Sequence, residues 1–169
     1  MISKKFIPPR TRNENFNSMI ILGIDPGYKR IGYGIIENHS NQFKLIKAGL
    51  LKIPAGDSAK TASSVSLEIK NLIDKFKPNL LALEKLYFSK NQKTALKVAE
   101  MRGVIALAAT EKGLPIKEFT PNEIKSGIAG YGLADKKAVA KMVRLTLNEP
   151  SLRVLDDVSD ALAAAIVAS

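Results

Sequence analysis

The stretch that most constrains this chain is Met19–Gly27, MIILGIDPG. Apolar residues lead into Gly23, Ile24 and then Asp25. An apolar, isoleucine-rich run bounded by Pro-Gly reads as a strand covered on both faces. A carboxylate inside such a strand is costly unless it is hydrogen-bonded, ion-paired or bound to a cation. Asp-Pro-Gly is also good turn chemistry, in which the Asp caps its own backbone. Taken alone, the two readings of Asp25 balance. The decision turns on whether other acids reach the same place.

The chain that follows alternates strands and helices. Tyr28–Arg30 reads as a turn, Ile31–Glu37 as a second strand and Phe43–Ile53 as a third, in an antiparallel meander. His39 falls in a polar turn. Gly32 and Gly34 either permit close backbone approach or tolerate twist. After Pro54-Ala55-Gly56, Asp57 or Ser58 caps a helix with Val65, Ile69, Leu72, Ile73 and Phe76 at helical spacing, stopped by Pro78. Leu80–Glu84 is another short apolar strand ending in a carboxylate. Asn91 caps a long helix to Lys112, with Leu96, Ala99, Val104, Leu107 and Ala108 as its apolar face. Ile116–Phe119 is a fifth strand. Thr120-Pro121-Asn122-Glu123 is a capping box with proline at the first helical position. Gly127, Gly130 and Gly132 predict a flexible loop around Tyr131. Asp135 caps a helix to about Leu147, and a last helix runs from near Asp156 to the end. This order predicts one α/β domain over residues 19–169, built on a mixed five-stranded sheet flanked by helices. Residues 1–18 are polar, with Pro8-Pro9, and are expected to form a disordered extension.

Composition narrows the chemistry. The chain has no cysteine and one histidine, which excludes thiolate metal sites and makes a Ser-His-Asp triad or a histidine-rich zinc site improbable. Any metal must be held by oxygen ligands. The absence of cysteine fits a reducing cytoplasm, and no apolar stretch or signal core points to a membrane. The formal net charge is +10. Most of that excess lies in the body of the chain, which favours a polyanionic partner such as nucleic acid.

Further acids do converge. Asp25 and Glu84 end strands that would lie side by side and parallel, and ligands bind at that edge of open α/β sheets. Asp157 and Asp160, three residues apart, share a helix face. The face continues as Ala161, Ala164 and Ala168, small enough to let the helix lie close on the sheet. Four carboxylates in one place raise each other's pKa unless cations neutralise them. Oxygen donors alone suit magnesium or manganese, and two such ions about 3.5–4 Å apart stabilise both the attacking and leaving oxygens of an in-line phosphoryl displacement.

At this point the sequence resembles the RuvC family of Holliday junction resolvases, within the RNase H-like nucleases. ILGIDPG followed by GYG, then LALEKLYFSKN, ALKVAEMRG and DVSDALAAAI, occur in the family's order and span Met19 to Ser169. The resemblance implies an RNase H-like fold and a magnesium-dependent endonuclease that resolves four-way DNA junctions in recombination and repair by paired symmetric nicks. The family's catalytic, metal-holding carboxylates fall on Asp25, Glu84, Asp157 and Asp160, with Asp25 bridging two Mg2+ ions that Mn2+ can replace. Asp156, one place earlier, reads as a helix cap. The family's base-stacking aromatic falls on Tyr87, with Phe88 beside it, and its DNA-proximal lysines fall on Lys125 and Lys136. The resemblance further implies a cytoplasmic homodimer working with a branch-migration complex of RuvA and RuvB type proteins.

Other classes share parts of this pattern. A sugar-kinase or actin-like phosphotransferase also starts from a glycine–acid strand end, but needs a duplicated domain that 169 residues do not provide. A non-cleaving binder of branched DNA fits the basic charge, yet gains nothing from acids placed against phosphates. Another RNase H-like nuclease, acting on RNA or other DNA structures, is the nearest competitor.

Overall fold

A computed structural model describes residues 18–54, 57–86 and 92–169, the side chains of residues 92 and 93 excepted. The expected disordered extension, apart from Ser18, lies outside the described residues, as do Tyr87, Phe88 and Asn91. The elements are β1 (Ser18–Asp25), β2 (Gly32–His39), β3 (Gln42–Leu50), α1 (Ser58–Phe76), β4 (Leu80–Glu84), α2 (Gln92–Glu111), β5 (Ile116–Phe119), α3 (Pro121–Ala129), α4 (Lys136–Thr146) and α5 (Asp156–Ala168). They form one five-stranded sheet in the order β3-β2-β1-β4-β5. β1, β2 and β3 are the antiparallel meander, while β4 runs parallel to β1, and β5 parallel to β4. This is the mixed sheet that the sequence predicts.

Alternation along the strands decides which side chain faces which layer. Leu22, Ile24, Ile35, Leu81 and Leu83 point to one side and pack with Val65 and Ile69 of α1 and Ile105 and Ala109 of α2. Ile21, Ile36 and Ala82 point to the other, under α5. Asp25 continues the series of Ile21 and Gly23, and Glu84 continues that of Ala82. Both strand-end acids therefore belong to the α5 layer. That layer is unusually thin. A Cβ on Gly23 would lie 2.0 Å from the Ala161 carbonyl oxygen, and one on Gly32 would lie 2.0 Å from that of Asp157. Of the two roles open to Gly32, close approach is the one observed. The partners on α5 are correspondingly small: Ala161, Ala164, Ala165 and Ala168 are buried.

Several caps follow the sequence. The Asp57 side chain accepts from Lys60 N–H, Asp135 from Ala138 N–H, and Thr120 and Glu123 close the capping box. Five details differ. β1 begins at Ser18, whose hydroxyl donates to Glu37 Oε1 at 2.6 Å and ties it into the sheet. β2 includes His39, because Ser40 and Asn41 alone make the turn, with φ of 51° and 66°, and β3 ends at Leu50 rather than Ile53. Gly127 lies inside α3 rather than in a loop: its missing Cβ leaves room for the Val167 side chain of α5. Finally, α2 buries Met101, Ile105, Ala108 and Ala109, while Leu96 and Leu107 of the expected apolar face are 67% and 60% exposed.

Candidate active site

The predicted acids meet at one edge of the sheet. Asp25 closes β1, Glu84 closes the adjacent parallel β4, and Asp157 and Asp160 stand on the first turns of α5. Close packing of α5 on Gly23 and Gly32 brings its N-terminal end over the strand ends. The electrostatics register the convergence. The Asp25 carboxyl is pushed up to about 7, first by burial and then by the negative fields of Glu84, Asp160 and Asp157, with Lys136 opposing. Glu84 is likewise pushed up to about 7, by burial and then Asp160, while Lys125 and Lys136 pull it down. Asp160 is raised by burial; Lys136 opposes this, and Asp156 and Asp157 add to it.

The lysines are part of this cluster. Lys125 on α3 and Lys136 at the start of α4 line a cavity of about 130 Å³ with Glu84, Asp160, Pro121, Ile124 and Val139. Partial burial disfavours the Lys136 ammonium, but Asp160, Asp156 and Asp157 outweigh that and hold its pKa above the ordinary value. Asp156 is not the helix cap that the sequence suggests. Leu155 occupies that position without a side-chain bond, and Asp156 points outward to Lys136, with 3.4 Å between Oδ2 and Nζ. Leu155 takes the extended backbone of an N-cap, so Asp156 is already the first helical residue.

Two arginines complete the edge, and sequence reasoning missed both. Arg30 Nε lies 2.9 Å from Asp157 Oδ2. The approach is poorly aligned for a hydrogen bond, so this buried oxygen has a compensating charge but no hydrogen-bond donor. Arg102 donates from Nε to the Glu84 carbonyl oxygen at 3.1 Å and pairs through its other arm with Glu118 on β5, pinning the end of β4. Arg102 lies in the ALKVAEMRG segment, which was a usable signal. Arg30 sits in a turn and carries none.

The donor set fits a hard divalent cation. All four candidates offer oxygen, their mutual repulsion calls for positive charge, and Asp157 Oδ2 is a buried acceptor without a donor. Among the described residues no three acids close around one point as a ready-made cage. A magnesium site does not require one, because Mg2+ keeps several waters and takes one or two carboxylates together with substrate phosphates. Among the described residues no helix is long and apolar enough to cross a membrane.

Comparison with known proteins points to one family. Residues 21–168 match the family model described as crossover junction endodeoxyribonuclease RuvC. The enzyme of that name from Petrotoga mobilis is 44% identical over 148 residues, covering 87% of this chain and 91% of the relative. The Moorella thermoacetica enzyme is 43% identical over 149 residues, covering 88% and 89%. The structure of Thermus thermophilus RuvC in complex with Holliday junction substrate superposes with a TM-score of 0.82 at 29% identity, covering 88% of this chain and 92% of that one.

Proposed function

The chain belongs to the RuvC family of crossover junction endodeoxyribonucleases, and we infer that it resolves Holliday junctions by hydrolysing one phosphodiester in each of two symmetry-related strands. The observation that carries this reading is the meeting of Asp25, Glu84, Asp157 and Asp160 at the sheet edge under a closely packed α5, in a chain of net charge +10.

In this reading Asp25, Glu84, Asp157 and Asp160 hold the metal, Mg2+ or Mn2+, as a pair of ions. Bound there, the ions supply a water of lowered pKa and neutralise charge on the departing oxygen. The chain's own residues set the stage. Burial keeps the carboxylates out of bulk water, so their affinity for a cation is high and their preference for a proton must be overcome. Lys125 and Lys136 attract the phosphate toward the acids. Arg30 holds Asp157 in place and Arg102 fixes the strand end that carries Glu84. Tyr87 follows β4 and would stack on a base at the crossover, for roughly 1–3 kcal/mol.

A two-fold junction calls for two sites, so the working form is a homodimer. The exposed stripe of α2, with Leu96 and Leu107 flanking Gly103, is the surface we assign to the second copy; nothing lies within 4 Å of where a Gly103 Cβ would be. Branch-migration proteins of the RuvA and RuvB type are the expected partners, in the cytoplasm.

The test is cleavage of a labelled synthetic four-way junction beside linear duplex and an RNA–DNA hybrid, with and without Mg2+. Paired symmetric nicks on the junction alone, dependent on metal, are expected. Tight binding without nicks in Mg2+ or Mn2+ would favour a non-cleaving binder, and cutting of the hybrid would favour another RNase H-like nuclease.

A further inference from the structure

The turn after β1 carries an aromatic that the nuclease reading leaves without a task. Tyr28 is half-buried and lines two cavities. One, of about 470 Å³, is lined by Gly27, Tyr28, Lys29, Arg30 and Asp157, and so opens onto the acid edge. The other, of about 320 Å³, is lined by Tyr28, Ser58, Thr61, Lys97, Glu100 and Met101, at the facing ends of α1 and α2. Tyr28 thus lines both the depression that reaches Asp157 and a cleft with hydroxyls and a lysine on its walls.

The charges around the ring are unbalanced. Lys29 Nζ and Lys97 Nζ each sit 5.5 Å from the Tyr28 ring centroid. Two ammonium groups drawn to one ring repel each other, and among the described residues neither has a carboxylate partner. The acid of the cleft, Glu100, is engaged by the Ser58 hydroxyl at 2.5 Å. A cation over a ring gains about 0.5–1 kcal/mol unless both are desolvated, and Lys29 and Lys97 are exposed, so the ammonium groups are readily drawn off by a phosphate. What fits an aromatic face flanked by unpaired cations is a nucleotide, its base or sugar on the ring and its phosphates on the lysines. A free phosphate has no use for the ring, and an apolar ligand has none for the lysines.

We propose that Tyr28, Lys29 and Lys97 form a strand-binding subsite that grips the DNA backbone within a few nucleotides of the scissile phosphate. The proposal rests on the junction-nuclease reading and adds to it a contact point outside the acid cluster.

Junction binding by the full chain is measured in Ca2+ across a salt series, with 2-aminopurine placed at successive positions around the cleavage point. The proteins are wild type, Tyr28→Ala, Tyr28→Phe and Lys97→Ala, each checked for an unchanged thermal midpoint. Tyr28→Ala is expected to weaken binding roughly 5- to 150-fold, the range of one lost stacking contact, and to abolish fluorescence quenching at one position, while Tyr28→Phe preserves both. Lys97→Ala should reduce the slope of log K against log salt by about 0.9. Unchanged affinity, quenching and slope in Tyr28→Ala and Lys97→Ala, with wild type still nicking junctions in Mg2+, overturn the subsite alone. Wild type that neither binds nor nicks the junction overturns the nuclease reading and the subsite with it. Should Tyr28→Ala unfold, Lys97→Ala decides, because its side chain is exposed.

Discussion

The two faces of the sheet are built on opposite plans. On the α1/α2 face, large side chains fill the space: Leu22, Ile24, Ile35, Leu81 and Leu83 are fully buried against Val65, Ile69 and Ile105. On the α5 face, glycines lie under alanines and helix backbone nearly touches strand backbone. A layer of branched side chains tolerates some repacking, at a cost in stability. Backbone against backbone has no slack. The difference shows where this chain needs exact position. α5 carries Asp157 and Asp160 toward the ends of β1 and β4, and its approach distance sets how closely the four carboxylates gather.

Substitutions on the two faces should therefore fail in different ways. The largest effect is expected from the site itself. Asp25→Asn should lower junction cleavage by at least about 10²-fold and leave binding equal or tighter, since one repulsive charge is gone; loss of binding as well would assign Asp25 a folding role. Next comes the thin face. Gly32→Ala drives a methyl into the Asp157 carbonyl, and the strain should cost about 1–3 kcal/mol or more while shifting the start of α5. Cleavage should fall more than stability explains, measured on protein shown folded by circular dichroism. Full activity in folded Gly32→Ala would break the contrast between the faces. On the thick face Ile105→Ala should cost about 2–5 kcal/mol in denaturant unfolding, yet retain the wild-type cleavage rate well below its melting point.

A pH dependence separates the faces without any substitution. In the folded chain Asp25 and Glu84 titrate near 7, against ordinary values of 3.8 and 4.5. Between those limits the folded state holds more protons than the unfolded one, so metal-free stability falls as pH rises from about 4 to 7. The thermal midpoint in EDTA should be higher at pH 5 than at pH 8, and Mg2+ should raise it at pH 8 far more than at pH 5. A flat profile would mean that the acids are solvated rather than crowded. Ile105→Ala should leave the shape of this profile unchanged, which separates the faces once more.

Much of this was legible in the sequence, for reasons that particular residues make plain. Asp57, Thr120 and Asp135 cap helices through local bonds, and local bonds follow local sequence. The acids were legible because a carboxylate at the end of an apolar strand is expensive and therefore informative. The buried side of α2 was not, because alanine, leucine and methionine ring that helix and leave periodicity little to distinguish. Met101 and Ile105 face inward only because α1 lies there. Arg30 and Tyr28 were invisible for a similar reason: their meaning comes from Asp157 and Lys97, which the fold brings to them. Asp156 was misread because any acid before a helix resembles a cap, whereas the extended backbone falls on Leu155.

Titration with Mn2+, followed by the electron paramagnetic resonance signal of the free ion, tests the central claim most directly. Wild type at pH 8 should take up ions saturably, approaching about two per chain when junction DNA is present, and Asp25→Asn should bind them at least about 10-fold more weakly. Identical isotherms for the two proteins would place the ions elsewhere and contradict a metal site built from the ends of β1, β4 and α5.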